Sequence, residues 1–222
     1  MKKIMLCLAG LIISTLAFSQ SILTASSFFQ SISEYYSTIT DYEATVDITA
    51  GKTDMSGKVS FKRPEMLRID FTNPQDQVIL FNGDDLTIYL PGYSAVLQQT
   101  ANSSGAGAAS LATPQGLNLM SRYYTIAYET GQDAVPLEEG SDEKVVVLIL
   151  NRRSSAEAFR QIKLSINPQT KLIRRVAATT PQSENFTFNF YDYNLNSGIT
   201  DQRFIYDPPS SANNYNNFLF SE

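Results

Sequence analysis

The chain has 222 residues, 43% of them hydrophobic and 18% charged, with a formal charge of −5, and it contains neither histidine nor tryptophan. Without histidine there is no histidine-based triad, no imidazole metal ligand and no ordinary neutral-pH general base. The acidic balance argues against binding nucleic-acid phosphates or anionic lipid headgroups as a main task.

The N-terminus reads as an export signal: Lys2 and Lys3 precede an apolar run from Ile4 to Phe18, and Ala17 and Ser19 suit a cleavage site after residue 19. The run is too short to favour a membrane span. Removing it leaves 20–222, which is expected to form one domain, with 15 basic against 22 acidic residues, about −7. Cys7 lies inside the signal, so the processed chain has no thiol for disulfides, thiolate metal sites or nucleophilic catalysis.

From Ile22 to about Ser37, the residues Ala25, Phe28, Phe29, Ile32, Tyr35 and Tyr36 recur at spacings of three and four, which predicts an amphipathic helix rich in aromatics. Tyr42, Ala44, Val46, Ile48 and Ala50 then alternate with polar residues as a strand. Gly57, Val59 and Phe61, then Leu67, Ile69 and Phe71, then Val78–Phe81 and Leu86, Ile88 and Leu90 follow as an antiparallel meander with one wet and one apolar face.

Between Gln98 and Ala112 the composition turns to Ser, Ala, Gly, Asn and Thr, a loop. Thr113-Pro114 opens a short helix with a threonine cap and proline in the first position; Leu117, Leu119, Met120 and Tyr123 give it apolar surface. Further strands are expected at Tyr124–Tyr128, at Lys144–Leu150 as a central strand covered on both faces, at Ile162–Ile166, Leu172–Thr179 and Phe186–Phe190. Pro208-Pro209 ends the regular structure, and the Ser- and Asn-rich tail either folds over an edge or stays free.

The sum is mainly β with α: a strongly curved antiparallel sheet whose concave apolar face is covered by helices. A tightly packed cover makes that face a core, and a loosely packed one makes a lidded cavity. The acidic pairs Asp84-Asp85, Glu138-Glu139 and Asp142-Glu143 read as solvated turns rather than glycosidase carboxylates. The spacing from Glu138 to Glu143 does not match an EF-hand. Gly105 and Gly107 follow no strand and make no phosphate loop. No catalytic residue, metal or cofactor is expected.

The order of motifs resembles a known family. Gly57 to Phe61 runs into Lys62-Arg63-Pro64, then come Leu67–Phe71, Asn73-Pro74-Gln75, Asn82-Gly83, Tyr89-Leu90-Pro91, the Thr113-Pro114 helix and a closing Phe204-x-Tyr206-x-Pro208-Pro209. This layout is similar to that of the periplasmic lipoprotein carriers, the LolA family, and departs from it in lacking tryptophan and in its Gly- and Ala-rich loop. The resemblance implies an incomplete antiparallel barrel of LolA/LolB type under a helical lid. It also implies a non-enzymatic, monomeric chaperone that shelters the acyl chains of lipoproteins on their way from inner to outer membrane. The implied partners are acylated lipoproteins, an inner-membrane lipoprotein-releasing ABC transporter and an outer-membrane acceptor, with no nucleic acid. Arg63 matches the family's basic residue that bonds the lid and holds the empty form closed. Leu67, Ile69 and Phe71 match cavity-lining positions, and the same cavity and lid are expected to include Phe28, Phe29, Ile32, Val46, Ile48, Val59, Phe61, Leu117, Leu119 and Met120. A related carrier of another lipid, an envelope-stress sensor and a non-binding envelope module are the alternatives on this scaffold.

Overall fold

A computed structural model describes residues 23–100 and 112–218. The export signal expected over 1–19 and most of the Gly- and Ala-rich loop lie outside the described residues. Helix α1 spans Ala25–Thr38 and starts at Thr24, whose Oγ1 accepts from the Ser27 N–H at 3.1 Å. That bond satisfies one of the helix's free first-turn donors. Ala25, Phe29, Ile32 and Tyr36 form its buried stripe. Among the described residues no helix is long and apolar enough to cross a membrane.

The strands are β1 Asp41–Ala50, β2 Thr53–Lys62, β3 Met66–Asn73, β4 Val78–Phe81, β5 Asp85–Leu90, β6 Ala95–Thr100, β7 Tyr124–Tyr128, β8 Val135–Pro136, β9 Lys144–Arg152, β10 Gln161–Ile166, β11 Ile173–Thr179, β12 Asn185–Leu195 and β13 Asn213–Asn216. They lie in the order β13-β6-β5-β4-β3-β2-β1-β12-β11-β10-β9-β7, with the short β8 beside β9. β1 is the midline, pairing with β2 on one side and β12 on the other. Neighbours are antiparallel except β13, which lies parallel to β6. The ends do not meet, so this is an open barrel. Its curvature is visible in the packing: Phe81 of β4 and Ile162 of β10 belong to one contiguous core around α1.

Several elements differ from the sequence reading. β6 follows the meander after a 3-10 turn at Pro91–Tyr93, and its pattern is cut short by the polar Gln98 and Gln99, which hide a strand from a periodicity argument. β9 stands next to the edge strand β7 rather than mid-sheet. Its continuous apolar run resolves into buried Val146, Leu148 and Leu150 alternating with half-buried Val147 and Ile149. The tail does fold over an edge, as β13.

Two irregularities shape the concave face. Between Glu43 and Thr45 the β1–β12 register shifts, so Asp192 and Tyr193 together face Ala44. Asp192 takes a left-handed φ of 54°, and the extra residue turns Tyr193 onto the same side as Phe186, Phe188 and Phe190. At Gly57 the β2–β3 pairing also shifts, and a Cβ there would press on the Asp70 carbonyl oxygen and lie 2.9 Å from Phe71 Cα. Only glycine permits that approach.

On the convex side, Val78, Leu80 and Phe204 form a smaller apolar cluster. Arg203 anchors the segment carrying Phe204: its Nε donates to Ser60 Oγ at 3.1 Å, and its guanidinium pairs with Asp70. Arg68 also binds Asp70, at 2.7 Å, and donates to the Arg203 and Ile205 carbonyls. The segment after β12 is thus pinned across β2 and β3.

Replacing Gly57 by alanine must push β2 away from β3. A destabilisation of about 1–3 kcal/mol is expected in urea melts, as for other overpacked positions. An unchanged midpoint would show that the two strands separate freely.

Candidate functional site

The concave wall is built from alternate residues of three adjacent strands. Val46 and Ile48 on β1, Val59 and Phe61 on β2, and Leu67, Ile69 and Phe71 on β3 are all buried in the main core. Cross-strand register explains why they share a face: Val59 stands opposite Ala44 and Ile69, and Phe61 opposite Tyr42 and Leu67. β4 and β12 extend the same wall through Phe81, Phe188 and Phe190.

Two helices cover it. Phe29 and Ile32 of α1 are 1% and 0% exposed, and Phe28 sits at the margin against Tyr128, ring centres 6.3 Å apart. Helix α2, Pro114–Tyr123, is capped by Thr113 Oγ1, which accepts from Gly116 N–H at 3.1 Å. Leu117 and Met120 point inward at 0% and 1% exposure. Leu119 does not: it is 42% exposed, because at 100° per residue it lies roughly 100° from the middle of the face formed by 116, 117 and 120, while Tyr123, also 42% exposed, stands at the margin of that face. The cover packs against the wall as a core, with Phe29, Ile32, Leu117 and Met120 all in the main apolar cluster.

Tyrosine hydroxyls fasten the lid to the sheet. Tyr42 Oη donates to the Ala112 carbonyl, just before α2, at 3.2 Å. Tyr36 Oη of α1 accepts from the Ile173 N–H at 3.0 Å, and Tyr193 Oη donates to the Ile173 carbonyl at 2.9 Å. Tyr128 Oη donates to the Leu23 carbonyl at 2.8 Å. Alternation puts Tyr42 on the inner face, but the sequence carries no sign of the carbonyl it reaches. Tyr193 is hidden by the bulge. Gln115 Oε1, in the first turn of α2, is a buried acceptor with no partner among the described residues. Such an atom retains most of its desolvation cost.

Arg63 lies at the β2–β3 turn, after which the Arg63–Pro64 peptide bond is cis. Its N–H donates to the Thr40 carbonyl at 3.0 Å, two residues before Tyr42, while its exposed side chain has no hydrogen bond or ion pair among the described residues. The acidic connection is engaged elsewhere: Glu143 binds Arg174 and Glu138 binds Arg175, each at 2.5 Å. The Arg174 guanidinium holds the Glu143 carboxyl below its usual range. Asp84 and Asp85 sit in a turn where Asn82 Oδ1 accepts both backbone N–H groups. Two clefts, of about 270 and 390 Å³, open on the side away from the helices. The smaller is lined by Arg174, Arg175 and Glu138, the larger by Leu80, Thr87, Phe204 and Tyr206.

Burial of the tyrosine cluster has a consequence for alkaline stability. Desolvation pushes Tyr36 up to about 12 and raises Tyr42 and Tyr193 well above the ordinary value of 10. Above pH 10 the unfolded chain releases these protons while the folded chain holds them, so stability is full below pH 10 and falls as pH rises toward 12 and beyond. The slope is about 1.4 kcal/mol per pH unit for each tyrosine. In a titration of tyrosinate absorbance, these three should ionise only with unfolding. Reversible ionisation near pH 10 with the fold intact would show the hydroxyls to be solvated. A Tyr42→Phe variant, which leaves the Ala112 carbonyl without its donor, should lose about 0.5–1.5 kcal/mol and exchange α2 amide hydrogens faster.

The family model described as "Outer membrane lipoprotein carrier protein LolA" matches residues 48–207, which takes in β2 to β12, α2 and the pinned C-terminal segment but not α1, most of β1 or β13. The outer-membrane lipoprotein carrier proteins of Pseudomonas aeruginosa and Pseudomonas paraeruginosa are 21% identical over 156 residues, 70% of this chain and 69% of theirs. In fold, an uncharacterized conserved protein of Thermus thermophilus superposes with a TM-score of 0.54 at 12% identity, covering 85% of this chain and 96% of that one. A crystal structure of MucB gives 0.52 at 11% identity, covering 82% of this chain and 62% of that one. With an open apolar barrel beneath two helices and a family match across most of its length, the chain belongs to the LolA family of outer-membrane lipoprotein carrier proteins.

Proposed function

We propose that this protein is an exported, periplasmic chaperone that takes the acyl chains of lipoproteins between wall and lid and carries them from inner to outer membrane. The observation that carries this reading is the construction of the cover. A continuous apolar wall is closed by two short helices fastened through a few neutral hydrogen bonds, rather than by further strands. Burying a methylene is worth about 0.8 kcal/mol, so one chain of about fourteen carbons represents roughly 11 kcal/mol against water. An unassisted crossing of an aqueous space is therefore slow. A cavity that offers comparable apolar contact removes the barrier, provided that Phe29, Ile32, Leu117 and Met120 swing aside on loading. The acyl donor is an ABC transporter of the inner membrane, the acceptor lies at the outer membrane, and the protein acts as a monomer without catalysis or cofactor.

Arg63 is assigned to lid closure. Its backbone is tied two residues from Tyr42, whose hydroxyl reaches the segment before α2; its guanidinium makes no hydrogen bond among the described residues, and the lid contact is what the family resemblance implies. A charged hydrogen bond of about 1.5–3 kcal/mol is small beside the acyl term and yields on loading.

The tight fit of the helices favours one other reading, a structural envelope module whose concave face is only its own core. Lipid extraction and mass spectrometry of the protein purified from its own cells separate the two. Co-purifying lipoprotein or acyl chains are expected. A lipid-free protein that also fails to take up a fluorescent fatty acid would favour the module. Arg63→Leu is expected to loosen the empty form and slow cargo release; loading and unloading at parental rates would remove Arg63 from the mechanism.

A further inference from the structure

The arginines divide into two populations. Arg68, Arg174, Arg175 and Arg203 are ion-paired with carboxylates. Of the remaining five among the chain's nine, Arg63 stands at the β2–β3 turn, and Arg122, Arg152, Arg153 and Arg160 gather at one corner, without a carboxylate partner among the described residues. Backbone bonds fix that gathering. Arg153 N–H donates to the Tyr123 carbonyl at 2.8 Å and Arg152 N–H to the Arg160 carbonyl at 3.2 Å, while Arg122 is the residue before Tyr123. Arg153 Nε also donates to the Tyr124 carbonyl at 3.1 Å, which ties this cluster to the C-terminal end of the lid helix α2. Arg122, Arg153 and Arg160 are exposed. Within 112–128 there is no acidic residue, and between 151 and 163 the sole acid is Glu157. A chain of net charge −5 thus holds a local excess of three positive charges beside its lid.

The same corner is apolar. Leu119, Arg122 and Tyr123 are spaced i, i+3, i+4 and form one outward strip of α2, with Leu119 and Tyr123 each 42% exposed. Capping of α2 accounts for Arg153 and in part for Arg122, since cations favour a helix C-terminus. It does not account for Arg160, nor for two large apolar side chains left in water beside them.

We infer that this corner, Arg122, Arg153 and Arg160 around Leu119 and Tyr123, is a docking surface for an anionic phospholipid bilayer, with the half-buried Arg152, whose Nη1 donates to the Ser155 and Glu157 carbonyls, adding its charge from behind. Guanidinium groups match phosphate oxygens in pairs, and a leucine and a tyrosine flanked by arginines suit the headgroup boundary, where an apolar body and a polar tip are both accommodated. The negative charge of the rest of the surface does not prevent this, because charges more than about 10 Å away are largely screened at physiological salt. Docking through this corner places the lid at the membrane and the acidic remainder beyond the screening length. Docking stands on the placement of these charges; its use in loading acyl chains at an opened lid rests on the carrier reading.

The test is co-sedimentation of the whole protein with vesicles of phosphatidylcholine alone or mixed with phosphatidylglycerol. Binding is expected to the anionic vesicles, to weaken with added salt, and to fall about fivefold for each of Arg122→Gln and Arg160→Gln. Those two side chains make no hydrogen bond among the described residues, so the variants should melt as the parent does. Leu119→Ser should reduce the binding that survives high salt. Lys58→Gln removes a positive charge from β2 and should change little. Equal binding to both vesicle types, or equal losses from Lys58→Gln and Arg160→Gln, would overturn the assignment. So would arginine-dependent binding to polyglutamate without binding to vesicles, which would point to an acidic protein partner. Because sedimentation needs no acyl cargo, vesicle binding and lipid co-purification fail independently.

Discussion

The inner face of a sheet that curves from β4 to β10 must be kept from water, and everything else in this molecule follows from how that is done. A sheet this long has too much apolar surface on one side to stand alone, and it neither closes on itself nor meets a second sheet. Fourteen residues of α1 and ten of α2 supply the cover. Their stripes are narrow, so a few large side chains do most of the burial. That makes the seal strong per residue and divides it between two separate helices.

The fastenings agree with such a cover. They are phenolic hydroxyls on backbone groups, which are neutral, short and specific, and which lose little when water replaces the partner. Ion pairs occur on the outer faces, where Arg68 and Arg203 share Asp70 and where Glu138 and Glu143 hold Arg175 and Arg174. The interior therefore contains no paired charge, among the described residues, whose separation would oppose opening. The strand framework is rigidly tied from outside, and the helices are held from inside by bonds of modest strength.

Much of this is legible in the sequence because the wall obeys a period of two and α1 a period of 3.6. Val46, Ile48, Val59, Phe61, Leu67, Ile69 and Phe71 fall on one face from alternation alone, and Thr113-Pro114 marks the start of α2 to the residue. What escapes is whatever breaks a period. The bulge at Asp192 turns Tyr193 inward against its alternation, Gln98 and Gln99 conceal β6, and Leu119, expected on the lid's apolar side, is rotated outward by the helix. The corner of arginines escapes for another reason. A net charge sums over the surface and erases segregation, and only the fold brings residue 122 beside 153 and 160.

The tail strand β13 has a role that its sequence disguises. Its four residues are exposed and Asn-rich, and they bury no side chain, yet they occupy the hydrogen-bonding margin of β6 in parallel register. A bare strand margin invites another chain to extend the ladder. Here the molecule supplies its own end piece, polar and weakly held, so crowded copies meet a finished border instead of a template. Proteolytic loss of the residues after Pro209 would leave cover and wall untouched and would bare the hydrogen-bonding groups of β6.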